Sequence, residues 1–327
     1  MRRREFISSL AGAAAWPLAA NAQQTRLPVV GYLHTSAPET RTQLAEAFRK
    51  GLAETGYIEG RNVNIEYRWG YDDPKRLQEN IADLVRRNVA VIVTPIGTQT
   101  AIAVKNATKT IPIVFSIGTD AVKAGLIASY NRPGGNATGV AAMVSELGAK
   151  RLGLLREMLP QVSRIGLLVD PGNPVAADTN INDIRGAAST MGIEIEVAGA
   201  TTPPEIDSAV AALVAKKVGA LIVTPTPLVG SNRAQITTLA ARHALPAIYP
   251  LRAFAAGGGL MSYGPNDALR YRLVGIYAGR VLKGERPADM PVEQPTAFEL
   301  VINMPAARAL GITVPPTLLA RADEVID

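Results

Sequence analysis

Three apolar runs of this chain occur twice, in the same order and at nearly one spacing. Val91-Ile92-Val93-Thr94-Pro95 returns as Leu221-Ile222-Val223-Thr224-Pro225, 130 residues later. Ile111-Pro112-Ile113-Val114-Phe115 returns as Leu245-Pro246-Ala247-Ile248-Tyr249, 134 residues later. Val30-Gly31-Tyr32-Leu33 returns as Ile165-Gly166-Leu167-Leu168, 135 residues later. A period this long is not that of a stacked repeat; it predicts a pair of similar halves. Two facing halves make a cleft, and a cleft between domains is a common seat for a small ligand.

Within each half, short apolar runs alternate with helical patterns. In the first half, strands are predicted near 28–34, 63–68, 89–94 and 111–115, with helices near 42–55, 75–88 and 98–108 between them. The second half repeats the series, with strands near 164–169, 194–198, 219–224 and 247–249. Alternation of this kind with short loops implies a parallel sheet covered on both faces in each half. The expected fold class is therefore α/β, two doubly wound parallel-sheet lobes. The stretches 137–159 and 260–283 each read as a strand followed by a helix, and 298–303 as a last strand. The first two mirror each other, whereas the last strand and a short helix ending at Gly311 lie outside the two-fold series and are expected to cross back between the lobes, multiple crossovers making a multi-strand hinge.

Several function classes are excluded or disfavoured by composition. Cysteine is absent and only two histidines are present, His34 and His243. Disulfides, thiolate chemistry and Cys-ligated zinc are ruled out, and no metal or other cofactor is expected. The net charge of +6 comes from basic residues scattered along the chain, so no nucleic-acid partner is expected. The densest basic cluster, Arg2-Arg3-Arg4, precedes a short apolar run and Ala20-Asn21-Ala22, a small-x-small cleavage pattern. Residues 1–22 thus read as an export signal cleaved after Ala22, which places the rest in the periplasm. Arg3-Arg4-Glu5-Phe6-Ile7 also fits a twin-arginine signal, with general secretion the alternative. No phosphate loop, G-x-G-x-x-G turn or nucleophile elbow is present, and nothing nominates catalytic residues.

In open parallel sheets, ligands bind beyond the carboxyl ends of the strands. The candidate binding residues are therefore Thr35, Ser36, Trp69, Gly97, Thr98, Gly118, Asp170, Asn173, Thr226, Tyr249, Arg252 and Tyr263. Gly97 and Thr98 open a helix whose amides suit a carboxylate, or Thr98 simply caps that helix. The same pair of readings holds for Asp170, Asn173 and Thr226. Trp69 forms an aromatic wall or packs on its own lobe. Arg252 pairs with an anionic ligand or with a protein carboxylate.

The stretches Phe48-Arg49-Lys50-Gly51-Leu52 to Gly56-Tyr57, Gly60-Arg61-Asn62-Val63, Arg132-Pro133-Gly134-Gly135-Asn136-Ala137-Thr138-Gly139-Val140 and Phe298-Glu299-Leu300-Val301-Ile302-Asn303 carry a family likeness. With Ile111 to Phe115, they resemble the solute-binding proteins of ATP-driven importers with the type I periplasmic-binding fold. The nearer likeness is to the branch that includes tryptophan-binding and other aromatic amino acid-binding proteins. The resemblance implies three crossovers and capture by hinge closure. It also implies delivery to an inner-membrane ABC permease, with ligand contacts above all at Thr98, Asn173 and Thr226. On this basis the lobes are expected to comprise 27–143 with 264–290 and 144–263 with 291–327, in a monomer that does not span the membrane. Amino acid binders of the branch carry an acidic residue in the loops after the later second-lobe strands. Here those loops are Thr226-Pro227-Leu228 and Pro250-Leu251-Arg252, without a carboxylate. The expected ligand is then anionic or neutral with an apolar or aromatic body, and not a free amino acid. The rival functions are a ligand-binding input to a membrane sensor and an exported α/β enzyme.

Overall fold

The computed structural model describes residues 27–38, 42–144, 147–295 and 297–327. The proposed export signal and its cleavage site lie outside the described residues. In the first lobe, β1 (Val29–His34), β2 (Asn64–Trp69), β3 (Val91–Thr94), β4 (Ile113–Ile117) and β5 (Ala137–Ala141) form a parallel sheet in the order β2-β1-β3-β4-β5. Strands β3, β4 and β5 are buried along their whole length. Continuous apolar runs are what strands covered on both faces require. The edge strand β2 is only half-buried and is rimmed by Arg68, which reaches both Glu66 and Asp83 at 2.8 Å.

Helices α1 (Thr42–Glu54), α2 (Pro74–Arg86) and α3 (Thr98–Ala107) connect these strands. The second lobe contains α4 (Gly148–Met158), β6 (Arg164–Val169), α5 (Pro174–Met191), β7 (Glu194–Gly199), α6 (Pro203–Ala215), β8 (Ala220–Val223), α7 (Pro227–Ser231), α8 (Arg233–Arg242), β9 (Ala247–Tyr249) and α9 (Arg252–Ala256). Strand β10 (Met261–Pro265) follows, and the chain then returns to the first lobe as α10 (Asp267–Leu282). It ends in the second lobe with β11 (Phe298–Asn303), α11 (Met304–Ala309), α12 (Pro316–Leu319) and β12 (Glu324–Ile326).

The second sheet runs β12-β11-β10-β9-β8-β6-β7. The three runs seen twice in the sequence fall on β1, β3 and β4 and on β6, β8 and β9. The sheet is parallel except where β11 lies antiparallel to β10, with Met261 opposite Ile302. Strand 298–303, expected to cross between lobes, is thus an internal strand of the second sheet, and the short β12 closes its edge. Each sheet carries a core on both faces. Leu33, Ile92 and Phe115 pack under α2 and α3, while Tyr32, Phe48 and Tyr271 pack on the opposite side. In the second lobe, Leu155, Leu167 and Ile184 form one core and Ile206, Val223 and Ile236 the other.

The chain passes between the lobes after β5, after β10 and after Glu293. Before the third passage it lies along the first sheet: Val292 N–H donates to the Tyr130 carbonyl at 2.8 Å, and Glu293 bridges to Val140. The fully buried Arg151 fixes the ends of the first two passages. Its Nε donates to the Tyr263 carbonyl at 2.9 Å and its Nη1 to the Val144 carbonyl at 3.2 Å. Burial pushes its pKa down to about 9.

The returning helix α10 docks on α1 through glycines. A Cβ at Gly275 would stand 2.1 Å from the Phe48 carbonyl oxygen, and one at Gly279 would stand 1.8 Å from Thr55 Oγ1. The small residues spaced four apart let the two backbones touch, and Tyr271 and Val274 then fill the core beside Phe48 and Leu52. Gly275→Ala is expected to force the helices apart at a cost of roughly 1–3 kcal/mol, the usual penalty of overpacking. Chemical denaturation checks this: the midpoint falls, whereas Gly153→Ala, inside α4 where a Cβ meets nothing within 4 Å, leaves it unchanged or raises it through the better helix propensity of Ala.

Candidate functional site

In both sheets the strand order reverses beside the first strand of the lobe. β1 is flanked by β2 and β3, and β6 by β7 and β8. Loops leaving the carboxyl ends of neighbouring strands diverge there and leave a crevice. The two crevices face each other across one cleft of about 880 Å³, within the usual size of a small-molecule site. Thr35, Asp72, Gly97, Thr98 and Gln99 line it from the first lobe, and Asp170, Gly172, Asn173, Thr201 and Leu228 from the second. Leu77, Ile102, Ala103, Pro227 and Leu228 give it an apolar side.

Two helices begin at this cleft without a side-chain cap. Gly97 occupies the N-cap of α3 with φ of 101°, a conformation that favours glycine, and makes no capping bond. Thr98 is the first residue of the helix, not its cap. Its Oγ1 lies 2.9 Å from Thr119 Oγ1, so its hydroxyl is spent inside the lobe. The first amides of α3 are therefore open to an anionic group. At α5 the N-cap is Asn173, which is only 7% exposed, and its Oδ1 has no hydrogen-bond partner. Thr35 Oγ1 is likewise buried without a partner. Unsatisfied buried polar atoms cost free energy, and at a cleft wall they mark places for a ligand to bond.

Every charged residue lining the cleft is acidic. Asp73 is committed as the cap of α2, accepting from the amides of Lys75 and Arg76 at 2.8 and 3.3 Å. Asp72 accepts the Ser231 hydroxyl from the other lobe at 3.0 Å. Asp170 accepts only neutral donors: the Gly172 amide at 2.8 Å and the Thr226 hydroxyl. Burial holds its pKa above the ordinary aspartate value of 3.8, with those two bonds opposing the shift. No Lys or Arg forms an ion pair with Asp170 among the described residues. The loops Thr226-Pro227-Leu228 and Pro250-Leu251-Arg252 do lack a carboxylate, yet carboxylates reach the cleft from the loops after β2 and β6.

Of the residues expected from the sequence, Thr35, Gly97, Thr98, Asp170 and Asn173 come together in this cleft. Ser36 lies at its edge, with Oγ 2.8 Å from Ser231 Oγ. Thr226 caps α7, accepting from the Val229 amide at 3.3 Å, and so aims Pro227 and Leu228 into the cleft. The others lie elsewhere. Trp69 stacks on Tyr67 at 6.3 Å and packs at a tilt against His34 at 5.4 Å, within its own lobe. Gly118 packs toward Val144 near the first passage between lobes. Tyr249 is buried against Phe254 at 4.8 Å. Tyr263 packs on Phe298. Arg252 forms a bidentate pair with Glu324, both bonds 2.6 Å, on a separate crevice. Among the lining residues the sequence left unassigned, Asp73 had a legible signal: Asp before Pro at a helix start is a capping pattern. Leu77, Ile102 and Ala103 sit one turn into their helices, beyond the loops where ligands were sought.

Residues 35–326 match the family model described as ABC transporter substrate binding protein. A tyrosine-binding protein from Clostridioides difficile (strain R20291) is 29% identical over 271 residues, covering 82% of this chain and 76% of that protein. An ABC domain in complex with L-Trp from Streptococcus pneumonia superposes with a TM-score of 0.83 at 27% identity, over 92% of this chain and 100% of that one. A ligand-free, open substrate-binding protein with adhesive properties from Clostridium difficile gives 0.67 at 26% identity, over 92% and 99%. Identity and coverage are nearly equal in these two structures, so the arrangement of this chain is nearer to the ligand complex than to the open form.

A raised carboxylate pKa means that the folded state favours the protonated form. Its stabilising contribution is present below 3.8 and is lost as pH rises through the folded value. Asp170→Asn is therefore expected to raise the melting temperature of the ligand-free protein at pH 7 and to leave it unchanged below pH 3.8. Scanning calorimetry at both pH values checks the sign.

Proposed function

As the chain belongs to the ABC transporter substrate-binding protein family, whose members bind substrates and do not transform them, we propose that it is exported, takes a small zwitterion with an apolar body between its lobes, and hands it to an inner-membrane ABC permease. The observation that carries the ligand class is the pairing of opposite demands in one cleft. The open amides of α3, with the unpartnered Thr35 hydroxyl, suit a carboxylate. Asp170, half-buried and without a cationic partner among the described residues, suits an ammonium. The Asn173 amide oxygen beside it accepts a further N–H. Leu77, Ile102, Pro227 and Leu228 bury the body of the ligand.

This differs from the sequence-based expectation of an anionic or neutral ligand that is not an amino acid. A simple acid would satisfy α3 but would face Asp170 with nothing to offset its charge. A tyrosine-binding relative and a neighbour solved with L-Trp support the zwitterionic reading. Three passages between the lobes support capture by a hinge that swings one wall of the cleft onto the other.

Thermal-shift and calorimetric titration with L-tyrosine, L-tryptophan and L-leucine, each against its deaminated acid and its decarboxylated amine, tests the ligand class. At a concentration 100 times the dissociation constant, a true ligand stabilises by roughly 2.7 kcal/mol. At least one amino acid is expected to stabilise the protein while its acid and amine do not, and Asp170→Asn is expected to weaken that binding about tenfold or more. Stabilisation by the acids alone sinks the proposal. Export has its own test. Produced with residues 1–22, the protein is expected in the periplasmic fraction with Gln23 as its first residue by N-terminal sequencing. Retention of Met1 through Ala22 in the cytoplasm contradicts it.

A further inference from the structure

One side chain of the second lobe is gripped by two of the first. Ser231, the last residue of α7, donates its hydroxyl to Asp72 Oδ1 at 3.0 Å, and its Oγ lies 2.8 Å from Ser36 Oγ. A serine has one proton to give. Since that of Ser231 goes to the carboxylate, Ser36 donates the other bond, and a directed chain runs Ser36 to Ser231 to Asp72.

Both first-lobe partners are held before they meet Ser231. Ser36 is 2% exposed and its amide donates to His34 Nδ1 at 3.0 Å. With Nδ1 accepting, the ring proton sits on Nε2, 3.1 Å from the buried Tyr271 hydroxyl on α10. Asp72 is carried by a turn in which two successive non-glycine residues are left-handed, Tyr71 at φ 52° and Asp72 at φ 56°. That conformation is costly for L-residues and persists only where the surroundings impose it. Here the Asp72 amide donates to the Thr35 carbonyl at 2.7 Å, the Asp73 amide to the Gly70 carbonyl at 3.0 Å, and the Gly70 amide to the His34 carbonyl at 2.8 Å. A Cβ at Gly70 would come within 2.8 Å of the Thr35 oxygen, so the turn lies tight on the end of β1. The Arg76 guanidinium covers the Tyr71 ring at 4.3 Å. The turn is thus anchored on its own lobe while the Asp72 carboxylate reaches across the cleft to the Ser231 hydroxyl.

We infer that Ser231, taken between Ser36 and Asp72, is an interlobe latch that stabilises the closed arrangement whether or not a ligand is present. The ligand-free protein then populates the closed form in part, which lowers the conformational cost of capture. The inference rests on the two-lobe cleft and not on the class of ligand.

The test reads the distance between lobes without any ligand. The chain has no cysteine, so Glu79→Cys on α2 and Ser208→Cys on α6, both exposed and on opposite sides of the cleft, take spin labels specifically. Double electron–electron resonance on the dialysed mature protein is expected to show a short and a long distance. Adding Ser231→Ala is expected to shift the ratio about tenfold toward the long one, the loss associated with a charge-assisted hydrogen bond. Adding Ser231→Thr, which keeps the hydroxyl, preserves the short population. A distribution that Ser231→Ala leaves unchanged overturns the latch, as does a parent that shows the long distance alone. Circular dichroism confirms that each variant is folded. Failure here leaves the zwitterion proposal standing on its own titrations.

Discussion

The contact on which the architecture depends is the backbone-to-backbone packing of α10 on α1. Gly51, Gly275 and Gly279 bring the two helices together so closely that a methyl group at any of them would overlap a carbonyl or hydroxyl oxygen. That contact returns residues 267–293 to the first lobe after the second has been built. It completes the first-lobe core with Tyr271, Val274 and Tyr277, and it obliges the chain to pass between lobes three times. Three passages of the chain hold the lobes together more firmly than one would. Arg151 adds stiffness at the base, where its guanidinium holds the carbonyls of Val144 and Tyr263 together.

With the hinge fixed at one side, the opposite ends of the strands have to face each other, and the polar groups there become the site. The cleft is arranged by charge more than by aromatic surface. Among the described residues, no side chain caps the first amides of helix α3 and no cation neutralises the Asp170 carboxylate. Each is unfavourable alone and each is relieved by a group of opposite sign. A ligand carrying both groups meets both demands at once, whereas a ligand carrying one leaves the other unmet. The apolar side formed by Leu77, Ile102 and Leu228 then acts on shape and size.

Much of this was legible in the residues. The doubled apolar runs located the central strands of both lobes because strands buried on both faces need unbroken apolar sequence. The loops after those strands then named Thr35, Gly97, Thr98, Asp170 and Asn173. The aromatic and cationic candidates were not decided by sequence, because their position after a strand does not say which neighbour claims them. Trp69 finds Tyr67 two residues away on the same face of an edge strand. Arg252 finds Glu324, on a strand too short to be read from its three residues. The acidic lining was hidden for a related reason: Asp72 and Asp73 follow an edge strand whose loop folds back over β1, a placement that only the tertiary hydrogen bonds to Thr35 and His34 reveal.

A cleft with these two demands takes a molecule bearing an amine and a carboxylate together. Native mass spectrometry of the protein purified from the cells that produce it, followed by release and fragmentation of whatever remains bound, addresses this directly. The expected result is a bound small molecule whose fragments lose both ammonia and the elements of formic acid. A bound acid with no amine, or a sugar with neither group, contradicts it.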